Sequence, residues 1–187
     1  MLLNQYIQRK VQNITIPNDV SLIGNWAFGR CVSLTQINVE EDNLNYKSVE
    51  GVLFDKNMTE LIAFPIGKNQ TDYTIPYSIK TIGSYAFDGR TKITSLEIPN
   101  SVETIKYAAF RGCTGLTELT IPDSVTKIED AAFNGCSNLT ITGYENSYVQ
   151  KYCEDNKIPF RIVGHIKTTD QEAKDEKNSE ITTGAFQ

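Results

Sequence analysis

The chain has 187 residues, of which 40% are hydrophobic and 22% charged, enough for one sizeable domain. Its net charge of −5 and its scattered Lys and Arg exclude the basic face that a nucleic-acid binder presents. No apolar run reaches the roughly 20 residues that cross a bilayer as a helix, so no membrane insertion is expected.

In chain order, Leu2, Leu3, Tyr6, Ile7 and Val11 share one helical stripe, so residues 1–10 are predicted to form a capping helix. The same stretch does not read as a secretory signal, because Arg9 and Lys10 follow the apolar residues and no small-residue cleavage site is present. That leaves an intracellular protein, or one whose leader has been removed.

From Val11 the chain repeats itself. Ile75-Pro76, Ile98-Pro99 and Ile121-Pro122 recur every 23 residues, as do Ala86-Phe87, Ala109-Phe110 and Ala132-Phe133. An earlier copy runs through Ile14, Ile16-Pro17, Val20, Ile23, Ala27-Phe28 and Cys31, and Val39 keeps its register. Between Val39 and Ile75 lie 36 residues instead of 23, an insertion of 13. The alternation Leu-x-Ile suits a short strand, with six such strands centred near Thr15, Asn38, Thr74, Glu97, Thr120 and Thr140. The Ile-x-x-x-Ala-Phe segment is expected to return the chain as one tight helical turn that buries Phe. No unit can bury its apolar face alone, so successive coils must stack and share a core, with parallel strands ~4.8 Å apart.

The fold class expected is therefore α/β: a right-handed leucine-rich-repeat solenoid with short parallel strands on one face, one repeat extended by a β-hairpin insert, and helical caps. The solenoid should span residues 11–142, with the insert at about 43–70. Within the insert, Val52-Leu53-Phe54 and Leu61-Ile62-Ala63-Phe64 flank Asp55 to Thr59, which reads as a hairpin projecting from the solenoid edge or folded onto it. Ser147 with Gln150 three later forms a capping box, so residues 143–163 should close the array with a helix and a last strand. Residues 164–187 are polar, and are expected to be a disordered tail or a linker.

The pattern Ile-Pro-x-Ser-Val-x-x-Ile-Gly-x-x-Ala-Phe-x-x-Cys resembles the BspA-like leucine-rich-repeat family of bacterial and protist surface proteins. It is carried by Ile75 to Phe87, Ile98 to Cys113 and Ile121 to Cys136, with Ile16 to Cys31 close behind. The resemblance covers roughly residues 11–163 and implies surface display and adhesion to host or matrix proteins. Arg90 departs from it at the Cys position, as do Lys106 and Glu129 at the Gly position. Gly there consequently has no need of a positive φ.

Little in the sequence suggests chemistry. Cys31, Cys113 and Cys136 hold one repeat position, where a small apolar side chain packs well. No Cys-x-x-Cys occurs, so neither a metal nor a cofactor is expected. The single histidine, His165, falls where the ordered domain ends, a poor place for a catalytic base. Glu40-Glu41-Asp42-Asn43 reads as a solvated loop. No catalytic residue is expected.

What remains is surface. Between the inward positions of each strand lie Thr15, Asn38, Thr74, Glu97 and Thr120, and before them Asn13, Gln36, Asp72, Ser95 and Glu118. These ten make a polar, mildly acidic strip on the open sheet face, the candidate binding site for a protein or glycoprotein. Trp26 and Tyr85, two residues before Phe28 and Phe87, replace the alanines of later repeats. They either form an alternative binding patch or shield the insert. The expectation is a non-enzymatic, adhesin-like binding module at the cell surface or secreted; the alternative is a cytoplasmic scaffold or structural spacer with no ligand of its own.

Overall fold

A computed structural model describes residues 10–165. The N-terminal helix expected over residues 1–10 and the tail beyond 165 lie outside the described residues, apart from Lys10, which is helical.

The repeat strands form where the alternation places them: β1 (Asn13–Ile16), β2 (Gln36–Val39), β6 (Asp72–Thr74), β8 (Ser95–Glu97), β10 (Glu118–Thr120) and β12 (Thr140–Glu145). Their pairing is parallel and in repeat register, with Ile14 opposite Ile37, Tyr73 opposite Leu96 and Leu119 opposite Ile141. They do not make one uninterrupted sheet, however. The strands group as β1-β2, β6-β8, and β10-β12 with a last strand, β13 (Phe160–His165). After β2 the insert intervenes, and the amide of Ile37 donates to the carbonyl of Gly51 at 2.9 Å, where another repeat strand would have been.

A second parallel sheet runs along another side of the coil. Two-residue strands β7 (Thr81–Ile82), β9 (Thr104–Ile105) and β11 (Lys127–Ile128) bury Ile82, Ile105 and Ile128, and they continue into the insert. Strands β3 (Tyr46–Val49), β4 (Val52–Asp55) and β5 (Glu60–Ala63) form an antiparallel meander whose last strand pairs parallel with β7, giving the order β11-β9-β7-β5-β4-β3. So the hairpin neither projects from the edge nor merely covers it. Val52, Leu53, Phe54 and Leu61 are fully buried, because a continuous apolar run has core on both faces. Val52, Phe54 and Leu61 join the large C-terminal core, whereas Leu53 joins a smaller one with Ile16, Leu34 and Ile37.

The return segment is not a helical turn. Its amides alternate between two uses. Those of Ala86, Asp88 and Arg90 close local turns onto the carbonyl three residues back, while those of Tyr85, Phe87 and Gly89 donate to Tyr107, Ala109 and Arg111 of the next coil at 3.1, 2.7 and 2.7 Å. The alternation requires a left-handed residue two before each Phe, where Trp26, Tyr85, Ala108 and Ala131 have φ of 61°, 59°, 52° and 56°. The Gly positions at 24 and 83 carry no positive φ; Gly89, Gly112 and Gly135, two after each Phe, do. This third ladder stacks Phe64, Phe87, Phe110 and Phe133 ring on ring.

At the C-terminal end Ser147 caps α1 (Tyr148–Asn156), accepting the Gln150 amide at 3.1 Å, and Lys157 ends it in the left-handed conformation. The Tyr148 hydroxyl receives the Ile128 amide at 3.2 Å, so a side chain replaces the missing neighbour of β11. Tyr46 does the same for the first coil, its hydroxyl accepting from the Ile23 amide at 2.9 Å. His165, expected in the tail, closes β13 opposite Glu145.

Two substitutions check this packing by urea denaturation. Phe110→Ala removes a fully buried ring from the middle of the stack and should cost about 3–5 kcal/mol. Ala131→Gly relieves a left-handed alanine, so it should be neutral or stabilise by up to about 1 kcal/mol. Ala132→Gly, one residue on, should destabilise.

Candidate functional site

All ten strip residues (Asn13, Thr15, Gln36, Asn38, Asp72, Thr74, Ser95, Glu97, Glu118 and Thr120) are exposed. Their cross-strand neighbours are Asn13 with Gln36, Thr15 with Asn38, Asp72 with Ser95 and Thr74 with Glu97. The strip is broken where the sheet is, and several members bond within the protein. Thr74 donates to Glu97 at 3.2 Å, Thr120 bonds Thr142 at 2.8 Å, and Glu118 pairs with Arg161.

A more distinctive arrangement lies on the turn side, at the seam between the first coil and the insert. Trp26 projects from its left-handed position and remains 40% exposed. Its indole folds over Gly29, where an added Cβ would come within 2.2 Å of the ring. Trp26 lies 6.2 Å from Tyr85, which meets Tyr107 edge-on at 5.4 Å. The indole N–H donates to an Asp88 oxygen at 2.9 Å, and Arg111 grips the same carboxylate through Nε and Nη2 at 2.8 and 2.9 Å. The Arg111 guanidinium thereby stands 5.0 Å from the Tyr85 ring centre and 5.8 Å from that of Trp26. The Arg30 guanidinium also lies over the Trp26 ring, 5.5 Å from its centre. Three aromatics and two arginines thus form one ordered surface, each cation placed where a ring face attracts it.

Beside this surface is a cleft of about 290 Å³, walled by Ile23 to Arg30 on one side and by Glu60, Phe64, Tyr85 and Arg90 on the other. Arg90 is buried, at 3% exposure, with its guanidinium 5.7 Å from the Phe64 ring centre. One of its nitrogens, Nη1, donates to the Pro65 carbonyl; among the described residues, Nε and Nη2 have no acceptor. Burial lowers the Arg90 pKa to about 9, the usual cost of desolvating a cation. Trp26, exposed, and Tyr85, partly exposed, both line this cleft together with Glu60 and Phe64 of the insert.

Sequence reasoning reached Trp26 and Tyr85 but missed Arg30, Arg90, Tyr107 and Arg111. The available signal was departure from the repeat, since Arg30 stands where Gly89, Gly112 and Gly135 take the left-handed conformation and adopts it too, at φ 62°. It also missed Asn43, which sits fully buried beside exposed Glu40 to Asp42. The Asn43 amide group donates to the carbonyls of Pro17 and Val20 and its oxygen accepts the amides of Asn45 and Tyr46, tying the insert to the first coil.

The four cysteines carry free thiols. Cys113 and Cys136 donate to the carbonyls of Phe87 and Phe110 at 3.1 and 3.0 Å, one coil back. Hydrogen bonding with Cys136 and burial together hold the Cys113 thiol far above its ordinary pKa, while the same bond draws Cys136 down. Burial pushes Cys153 up to about 12. Among the described residues no cluster of His, Cys, Asp or Glu is arranged to hold a metal ion, and no helix is long and apolar enough to cross a membrane.

This architecture is that of a leucine-rich-repeat solenoid. The model of the BspA type leucine rich repeat region matches in six copies over residues 4–70 and 63–156, and the chain belongs to that family. A leucine-rich repeat protein from Eubacterium ventriosum superimposes with a TM-score of 0.68 at 32% identity, covering 72% of this chain and 37% of that one. The pneumococcal vaccine antigen PcpA gives 0.64 at 28% identity over 85% of this chain and 46% of its own. A leucine rich cell surface protein from Faecalibacterium prausnitzii shares the fold, with 0.58 at 22% identity over 87% and 50% of the two chains. The chain therefore spans half or less of the length of these structures. No curated protein matches it.

The thiol environments have a direct readout. Brief alkylation at pH 8 followed by peptide mass spectrometry should label Cys136 first and Cys113 and Cys153 last, because a thiolate is the reacting form.

Proposed function

We propose that this chain is a non-enzymatic, protein-binding repeat module displayed at the bacterial cell surface. The observation that carries the reading is the line of Trp26, Tyr85 and Tyr107 with Arg30 and Arg111 stacked on it. Trp, Tyr and Arg dominate the energetics of protein interfaces, and aromatic rings already held in place lose little entropy on binding. The open sheet strip is the second candidate surface. Its residues are exposed, but it lacks aromatic anchors, and part of its polar capacity is spent within the protein. Surface display is supported by the family resemblance and by PcpA, a vaccine antigen at 28% identity. Adhesion to host or matrix protein is the role this combination favours.

A binding screen of the full-length protein against matrix proteins and host glycoproteins tests the reading. A saturable complex is expected that Trp26→Ala with Tyr107→Ala weakens at least tenfold, while the triple charge reversal at Asp72, Glu97 and Glu118 leaves it intact. A complex lost only on charge reversal moves the site to the sheet strip. Absence of any complex overturns the binding reading in favour of a spacer or scaffold.

A further inference from the structure

Cys113 and Cys136 hold the same repeat position on adjacent coils, three residues after Phe110 and Phe133. These two coils are related by a nearly pure translation, since the two rings lie 5.3 Å apart and only 4° from parallel. The backbone just before the cysteines is tied across the coils, the amides of Phe110 and Gly112 donating to Ala132 and Asn134 at 2.8 Å. The local turns also match. The amides of Cys113 and Cys136 each donate to the Phe carbonyl three residues back at 3.1 Å, and those of Leu116 and Leu139 donate to the two cysteine carbonyls at 3.2 Å. The Cα atoms of the pair therefore stand one coil rise apart. That rise, read from the 5.3 Å ring spacing, falls inside the roughly 4.4–6.8 Å that a disulfide spans.

The sulfurs meet as well. The Phe110 carbonyl accepts both the Cys113 amide at 3.1 Å and the Cys136 thiol at 3.0 Å, so the Cys136 sulfur lies against the turn that carries Cys113. The two thiols hydrogen-bond to each other. Their surroundings differ: Cys113 is fully buried, whereas Cys136 is half-buried. Hydrogen bonds from the Cys113 thiol and from the backbone of Cys113 and Gly112 draw Cys136 toward the thiolate, the form that oxidants meet first. Arg90 takes the position one coil before Cys113, and Cys31 packs against the smaller core on the far side of the insertion. Cys153 is buried in α1. Cys113 and Cys136 are thus the repeat cysteines that the coil places side by side.

We propose that Cys113 and Cys136 are a site of reversible oxidation by hydroperoxides, closing a disulfide that staples two adjacent coils beside the aromatic column. The Cys136 thiolate attacks a peroxide oxygen, and an S–O bond forms as the O–O bond breaks. The departing oxygen takes a proton and leaves as water or an alcohol, and Cys136 becomes a sulfenic acid. Cys113 then turns its sulfur away from the Phe87 carbonyl, to which it donates at 3.1 Å, and attacks the Cys136 sulfur. The S–S bond forms as the S–O bond breaks, and the hydroxide leaves as water with the Cys113 proton. The two thiols supply both electrons that the peroxide accepts, and a dithiol reductant returns them by thiol–disulfide exchange. The burial that keeps Cys113 from free oxidant leaves the neighbouring sulfenic acid within its reach. This chemistry is independent of the surface that binds a partner protein.

Trypsin leaves each of the four cysteines in its own peptide, Cys113 in residues 112–127 and Cys136 in residues 128–151. The reduced full-length protein is treated with hydrogen peroxide near neutral pH, quenched with N-ethylmaleimide and mapped by mass spectrometry without reductant. The expected product is peptide 112–127 linked to peptide 128–151, two hydrogens lighter than the reduced pair and released by dithiothreitol. In Cys113→Ala the sulfenic acid at Cys136 loses its partner and should be trapped by dimedone. Cys136→Ala should leave Cys113 reduced under the same treatment. The oxidised wild type should unfold at a higher urea midpoint than the reduced protein, whereas treated Cys136→Ala should show no rise. The wild-type map decides the proposal even where a variant fails to fold. Both thiols still free after treatment, a main linkage to Cys31 or Cys153, or Cys136 carried to the sulfinic acid without the 112–127 linkage overturns it. An unchanged midpoint overturns the staple.

Discussion

Phe64, Phe87, Phe110 and Phe133 stack with ring centres 5.3, 5.2 and 5.3 Å apart, close to the ~4.8 Å separation of parallel strands. Rings can hold that spacing over several coils only if every coil returns the backbone to the same place, which requires equal coil length. The 23-residue period is therefore a packing constraint before it is a sequence pattern. It explains the strained alanines beside the column. A left-handed residue two before each Phe turns alternate amides toward the next coil, and the resulting ladder holds the rings in line. The strain at each position, about 1–2 kcal/mol, is offset by a hydrogen bond between coils and a ring buried in the stack.

The column also explains the seam. The insertion of 13 residues lengthens one coil, and the backbone regains register only at Phe64. Phe28, its counterpart in the first coil, is half-buried and packs in the smaller core. Strands β4 and β5 stand between the two cores and give side chains to both, so the insert works as a partition. The cleft and the non-repeat side chains Trp26, Tyr85 and Arg90 lie along this partition.

The parts of the fold legible in the sequence were those written as periodicity: the Ile-Pro steps, the Ala-Phe pairs, the six strands and the Ser147 cap. The second sheet was not, because two-residue strands such as Thr81–Ile82 are too short to show an alternation. The return segment read as helical because Ile-x-x-x-Ala-Phe has a helix-like spacing; the alternating use of its amides depends on a neighbouring coil that a local window does not contain. At the site, Trp26 and Tyr85 stood out by bulk, whereas Arg90 read as a tolerated departure. Its burial arises only when Pro65, from the insert, is brought next to it. Asn43 was hidden by its acidic neighbours, which are solvated while it is not.

Native-state hydrogen exchange in low denaturant tests most directly whether the insert divides the molecule into two cores. Phe110 donates its amide to Ala132 inside the aromatic column, and Ile37 donates to Gly51 at the edge of the smaller core. With two cores, the Ile37 amide and those of β1 and β2 should open together at a lower free energy than Phe110, with Phe87 and Phe110 exchanging as one unit. A single exchange free energy for Ile37, Phe87 and Phe110 would show one undivided core and contradict the partition.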